Sequence, residues 1–155
     1  MVMKFKRKQK WILLFVVIAI LVAFVNFENN SITINEIAFK NDNIPESFNG
    51  YKILQISDLH NKEFGNNQNK ILAKIEEINP DIIVVTGDLI DANKTNVDVA
   101  MELINGAIKI APIYYVSGNH ESWFGSYEEL KSKLENSGVK VLDNVKVEIF
   151  KDNNV

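Results

Sequence analysis

Three short polar clusters carry the residues of this sequence that could do chemistry: Ser57-Asp58-Leu59-His60, Thr86-Gly87-Asp88-Leu89-Ile90-Asp91 and Ser117-Gly118-Asn119-His120-Glu121. Between them they hold two histidines, three aspartates, an asparagine and a glutamate. Carboxylate, imidazole and amide oxygen are hard-to-borderline ligands that suit Mn, Fe or Zn, and suit copper(I) or an iron–sulfur cluster poorly. Two such ions about 3.5–4 Å apart, bridged by one carboxylate, can clamp a phosphate ester and lower the pKa of a bound water. Asp58 and His60 are two apart on an extended segment, so their side chains can point to the same side. Asp88 follows Gly87, which lets backbone approach closely, and that is where a bridging ligand is wanted.

Each cluster alone has an ordinary reading. Asp between a strand and a helix is often only an N-cap, a lone His is more often structural than a ligand, and Gly-Asn or Gly-Asp is a common turn. What joins the three is their placement. Each directly follows a short apolar run, Ile53 to Ile56, Ile82 to Val85 and Ile113 to Val116, of the kind buried on both faces in a parallel sheet. Between the runs, Ile71, Leu72, Ile75 and Ile78 have helical spacing before Pro80, and Val97, Ala100, Met101, Ile104 and Ile108 repeat it after a Thr95 cap. A third helix is expected from Ser126, with Glu129 completing a capping box, to Gly138. Val139 to Leu142 and Val145 to Phe150 read as two further strands. The β-α-β-α-β order predicts an α/β layer with right-handed crossovers, and ligands in such sheets gather outside the carboxyl ends of the strands. All three clusters then share one edge of the sheet.

The chain has 155 residues, 46% of them hydrophobic and 24% charged, which is ordinary for a folded domain with an appendage. The appendage is N-terminal. Trp11 to Val25 is an unbroken apolar run that Phe27 extends, and Lys4, Lys6, Arg7, Lys8 and Lys10 precede it. About 17 residues is short for a spanning helix, but large residues stand where a signal peptidase needs small ones, which favours an uncleaved anchor. The expected organisation is a basic cytoplasmic segment 1–10, a transmembrane anchor 11–27, a linker with an edge strand over Ile32 to Phe39 within 28–50, and a catalytic-type domain over 51–155. Positive charge on the N-terminal side keeps that side cytoplasmic and sends the rest across the membrane.

Five of the 17 Lys and Arg precede the apolar run and none of the 20 Asp and Glu do, so the remainder carries 12 positive against 20 negative side chains, a net −8. A nucleic-acid backbone needs a cationic face, so nucleic acid is a poor partner. With no cysteine there is no disulfide framework and no thiolate ligand or nucleophile. A doubly wound nucleotide-binding domain fails at its first turn, which would be glycine-rich and here reads Ser57-Asp58-Leu59-His60.

Asp-x-His, then Gly-Asp-x-x-Asp, then Gly-Asn-His-Glu resembles the ordered signature of the calcineurin-like metallophosphoesterases, and the resemblance covers roughly Tyr51 to Phe150. With an anchor and one strand ahead of Ile53-Leu54-Gln55-Ile56-Ser57-Asp58-Leu59-His60, the chain is most similar to the membrane-associated bacterial branch. The resemblance implies a layered β-sheet flanked by helices and hydrolysis of phosphomonoesters or phosphodiesters by metal-activated hydroxide. It implies that Asp58 and His60 bind the first of two divalent ions, that Asp88 bridges both, and that Asn119 binds the second. His120 would protonate the leaving group, oriented by Asp91, because a carboxylate on one ring nitrogen raises the basicity of the other. Glu121 would give outer support.

Two departures from the family pattern stand out. Ala92 replaces the Arg of the protein-phosphatase branch, which argues against a phosphoprotein substrate; the anchor suggests a lipid-like one. The family also adds a later His and a Gly-His-x-His motif, whereas this chain has only His60 and His120. The first ion would then keep three of its four protein ligands and the second two. The expectation is a truncated or split product with Val145 to Phe150 as an exposed edge, binding the first ion weakly and the second hardly at all. The alternatives are a non-catalytic, membrane-tethered metal- or partner-binding remnant, or a second polypeptide that supplies the missing histidines.

Overall fold

The computed structural model describes residues 7–152, and the chain divides into two compact units after Ile37. Lys4 and Lys6 of the basic segment lie outside the described residues. In the first unit, α1 (Arg7–Asn30) is a 24-residue helix with no buried residue and a mean hydropathy of 2.5 over its most apolar window. At 1.5 Å per residue it is about 36 Å long, enough to cross a hydrocarbon core of about 30 Å. It is longer at both ends than the expected 11–27. Its last carbonyls find side-chain donors, Asn30 Nδ2 to the Asn26 carbonyl at 2.7 Å and Ser31 Oγ to the Glu28 carbonyl at 3.1 Å.

The expected edge strand at Ile32 to Phe39 does not form. Alternation makes a strand only against a partner, and Ile37 and Phe39 are instead 91% and 75% exposed.

The second unit is built on four parallel strands whose spatial order is their sequence order: β1 (Ile53–Ile56), β2 (Ile82–Thr86), β3 (Ile113–Val116) and β4 (Lys140–Val141). The register sets Ile56 against Val85 and Thr86 against Val116, so the three longer strands end near one line. Helices α2 (Asn69–Ile78), α3 (Val97–Ala107), α4 (Asn119–Trp123) and α5 (Tyr127–Asn136) fill the crossovers. One face of the sheet, with Ile83, Val85, Ile113 and Tyr115 buried and Leu54 and Ile56 beside them, packs on Ile75 of α2, Leu103 and Ile104 of α3, and Leu130 and Leu134 of α5. Across the opposite face Ile53, Gln55, Thr86 and Val116 are exposed. The apolar runs therefore do not lie buried on both faces as expected. β1 is an edge strand with Ile53 61% exposed, and only β2 approaches two-sided burial.

Local signals place the elements more reliably than their caps. α3 is capped by Asn96, whose side chain accepts from the Asp98 N–H, not by Thr95, which bonds the Asp91 carbonyl. The Ser126 side chain makes no cap bond, and Glu129 pairs with Lys133 at 3.1 Å instead of closing a capping box. Gly138 does follow the helix end in the left-handed region, at φ +90°. Val145 to Phe150 forms no strand, and its Val145, Val147 and Phe150 are exposed.

Asp143 ties α5 to the segment after β4. Its carboxylate accepts from Lys131 Nζ at 2.7 Å and from the Tyr127 hydroxyl at 2.8 Å. The Lys131 hydrogen bond, with Tyr127 assisting against partial burial, holds the carboxyl below the usual range. A depressed carboxyl contributes stability that is present above its unfolded value of about 3.9 and is lost as pH falls through the folded value. Urea unfolding of Asp143→Asn and the native chain should therefore differ at pH 7, still differ near pH 4, and converge only as the pH falls further, through the folded value. An equal gap at pH 7 and below the folded value would remove this role.

Candidate metal centre

The three strand ends bring their clusters together through the backbone. Beyond β1 the chain keeps bonding to the loop beyond β2: the Asp58 N–H donates to the Gly87 carbonyl at 3.2 Å, His60 N–H to Asp88 at 3.0 Å and Asn61 N–H to Leu89 at 3.3 Å. To turn while doing so, the backbone places Asp58 (φ +55°), His60 (φ +47°) and Asp88 (φ +50°) in the left-handed region. Asp, Asn and His are the non-glycine types that tolerate that region best, and such strain concentrates at functional sites.

The second and third loops meet even more closely. A Cβ on Gly87 would lie 2.6 Å from the Gly118 nitrogen, and one on Gly118 would overlap the Asp88 carboxylate. Glycine is required at both positions by this approach.

Glu121 clamps the two loops. Fully buried on α4, it accepts four backbone N–H groups: Asp88 at 2.9 Å and Gly118 at 2.7 Å on one oxygen, Leu89 at 2.8 Å and Ile90 at 3.2 Å on the other. The His120 N–H then donates to Asp88 Oδ1 at 2.8 Å. The expected outer support from Glu121 is thus the main tie between loops two and three. Its scale has no sequence signature, because its partners are main-chain groups.

The side chains converge in two overlapping groups. One ligand atom each from Asp58, His60 and Asp88 lie within 4.8 Å of one another, and so do one each from His60, Asp91 and His120. Asp58 Oδ1 and His60 Nε2 are 3.6 Å apart, too long for a hydrogen bond but close to the spacing of two ligands about 2.0–2.2 Å from one ion. Ser57 Oγ holds the other Asp58 oxygen at 2.5 Å. The donor set of two carboxylates and an imidazole fits a borderline divalent ion. Asn119 opens α4 with its side chain exposed, between Gly118 against Asp88 and His120 bonded to Asp88.

The His60 and His120 rings meet edge-on, with centroids 4.4 Å apart. His120 Nδ1 accepts the Ala92 N–H at 3.2 Å, so its hydrogen bond comes from the residue after Asp91 and not from the Asp91 carboxylate. Asp91 Oδ1 instead accepts the N–H groups of Asn93 at 2.7 Å and Lys94 at 3.2 Å. These amides, with the nearby imidazoles adding less, hold the Asp91 carboxyl below its usual range. Asp91 therefore shapes the turn that presents Ala92 to His120. In the sequence Ala92 stands out only as a departure from the protein-phosphatase pattern, because its N–H role toward His120 leaves no residue-type signal.

The family model for calcineurin-like phosphoesterases matches residues 51–154. The chain is similar to a transmembrane protein with metallophosphoesterase domain of Danio rerio, 28% identical over 112 residues, 71% of this chain and 26% of that protein. It is 28% identical over 123 residues to an uncharacterized metallophosphoesterase of Campylobacter jejuni, covering 78% of this chain and 33% of that one. An uncharacterized metallophosphoesterase of Bacillus subtilis is 38% identical over 66 residues, 41% of this chain and 23% of that one. The chain thus spans about a quarter to a third of the length of these relatives. No solved structure matches.

Proposed function

The chain belongs to the calcineurin-like phosphoesterase family, and from that premise we propose that it is a membrane-anchored, metal-dependent hydrolase of phosphomonoesters or phosphodiesters. The observation that carries this reading is the convergence of Asp58, His60 and Asp88 from two strand ends to within 4.8 Å. Asp58 and His60 would hold a first ion, Asp88 would bridge to a second, and Asn119 would reach that second ion. Two divalent ions of the Mn, Fe or Zn type would supply the positive charge that binds the phosphate and acidifies a water.

The chain's own groups do the rest. With Nδ1 accepting from Ala92, the neutral His120 ring presents Nε2–H as a hydrogen-bond donor toward a leaving-group oxygen. Full transfer of a proton to that oxygen takes the imidazolium form, in which Nδ1–H gives up the Ala92 contact and from which the ring returns to neutral imidazole. Asp91 is a positioning residue: it fixes the 91–94 turn and stays anionic beside the ring. Glu121 holds the Asp88 amide and the Gly118 amide on one oxygen, so the bridging carboxylate and the start of α4 keep their spacing. The helix α1 would be the single-pass anchor, with its basic end cytoplasmic and the domain extracytoplasmic.

Hydrolysis of bis-p-nitrophenyl phosphate with added Mn tests this reading. The native chain should turn over, and Asp88→Asn should lower the rate at least 100-fold, since the carboxylate shared by both ions is lost. Equal rates in the two proteins, or no Mn-dependent turnover in either, would contradict it.

A further inference from the structure

Three residues of α4 and its C-cap Phe124 divide between two sides. Glu121 is buried, and Phe124, three residues on, packs against the core. His120 and Trp123, also three apart, share the other side, where residues at that spacing are neighbours. Their ring centroids lie 5.1 Å apart with planes tilted by 48°, which extends the His60–His120 pair into a run of three rings. Trp123 is nevertheless 66% exposed. Tryptophan is among the more buried residue types on average, so a large open indole beside the group assigned to protonate a leaving oxygen calls for an occupant.

Geometry restricts that occupant. In the reading proposed above, phosphorus sits at the Asp58, His60 and Asp88 centre and the ester oxygen meets His120 Nε2. Whatever that oxygen carries next is then within about one ring diameter of Trp123. The indole is rigid and flat, and its face pairs best with another planar ring in an offset or edge-on arrangement. Among the described residues the ring contact recorded for Trp123 is with His120, at 5.1 Å, and the residue is otherwise largely open, at 66% exposed.

We propose that Trp123 is a substrate-contact residue that stacks on a planar aromatic leaving group, joined one or two atoms beyond the ester oxygen, and so selects aryl phosphoesters over alkyl ones. This rests on the phosphoesterase reading of the Asp58, His60 and Asp88 centre. The selectivity belongs to Trp123 alone.

Non-hydrolysable phosphonates separate the two. The full chain, with Trp11→Phe so that Trp123 is the sole tryptophan, is titrated in Mn with benzyl-, butyl- and octylphosphonate while indole fluorescence is followed. Benzylphosphonate should quench Trp123 and bind about 5- to 150-fold tighter than butylphosphonate, the range of one ring stacked on an aromatic side chain. Fluorescence is lost in Trp123→Ala and Trp123→Phe, so binding there is read by calorimetry. Trp123→Ala should bind the two equally, and Trp123→Phe should retain part of the preference. Equal binding to the native chain, or a preference that survives Trp123→Ala, overturns the stacking role and leaves the metal centre standing. Octylphosphonate binding tighter than benzylphosphonate, lost in Trp123→Ala, would show an alkyl-chain contact and overturn the planar-ring assignment. No binding of any phosphonate in Mn would overturn both.

Discussion

Glu121→Ala is expected to destabilise the domain by about 3–5 kcal/mol, the range for removing one partner of a buried charged network. The alanine would leave the N–H groups of Asp88, Leu89, Ile90 and Gly118 facing a space with no acceptor, and each buried amide without a partner costs about 1–3 kcal/mol before relaxation. Glu121→Gln should fall between, since its amide nitrogen would face N–H donors on one side while its oxygen keeps the other pair. Because the Asp88 amide is one of the four, metal affinity should fall with stability, by about 10- to 100-fold in whatever fraction stays folded. Urea unfolding of the full chain together with Mn titration reads both quantities. An alanine variant within about 0.5 kcal/mol of the native chain would show that the two loops are held by other contacts.

His120→Ala is expected to behave in the opposite way. Its ring is part-exposed, and its contacts are one backbone N–H and two ring neighbours, so stability should change little. Turnover of a phosphoester with an alkoxide leaving group should fall about 10²- to 10⁴-fold, the usual contribution of a positioned general acid. Metal binding should persist, because Asp58, His60 and Asp88 remain. The same variant acting on a p-nitrophenyl ester should lose less, since that leaving group departs without help from a proton. An equal loss on both esters would deny His120 the acid role and make it structural or a ligand.

How much of this was legible in the sequence varies by element. The parallel sheet and its first two crossovers follow from apolar runs of four residues alternating with helical spacing, and the same pattern puts the three polar clusters on one sheet edge. That worked because a strand's end fixes where its next residues go, whatever the packing around it. Two-sided burial was misjudged for β1, since Ile53-Leu54-Gln55-Ile56 reads as a buried run while only Leu54 and Ile56 face the helices. An apolar run reports what a strand can bury, and the neighbours decide which face is covered. The same reason removed the strands expected at Ile32 to Phe39 and Val145 to Phe150.

Within the site, residue types announced the candidate ligands and concealed the framework. Asp58, His60 and Asp88 stand together, as do His60, Asp91 and His120. The ties that hold them are main-chain donors: four to Glu121, one to His120 and two to Asp91. Every residue but proline supplies such a donor, so no pattern of side chains could single them out. Trp123 was missed for a related reason. The polar cluster ending at Glu121 carries no helical signal in the sequence, and only the short helix α4 sets residue 123 beside residue 120.

The most direct measurement of the central claim is Mn binding to the native chain and to Asp88→Asn by equilibrium dialysis, with unfolding of both proteins as a control. The native chain should bind at least one ion, and Asp88→Asn should bind it at least 10- to 100-fold more weakly while unfolding at a similar urea concentration. Equal affinity in the two proteins, or no bound ion in either, would contradict a metal centre built on Asp58, His60 and Asp88.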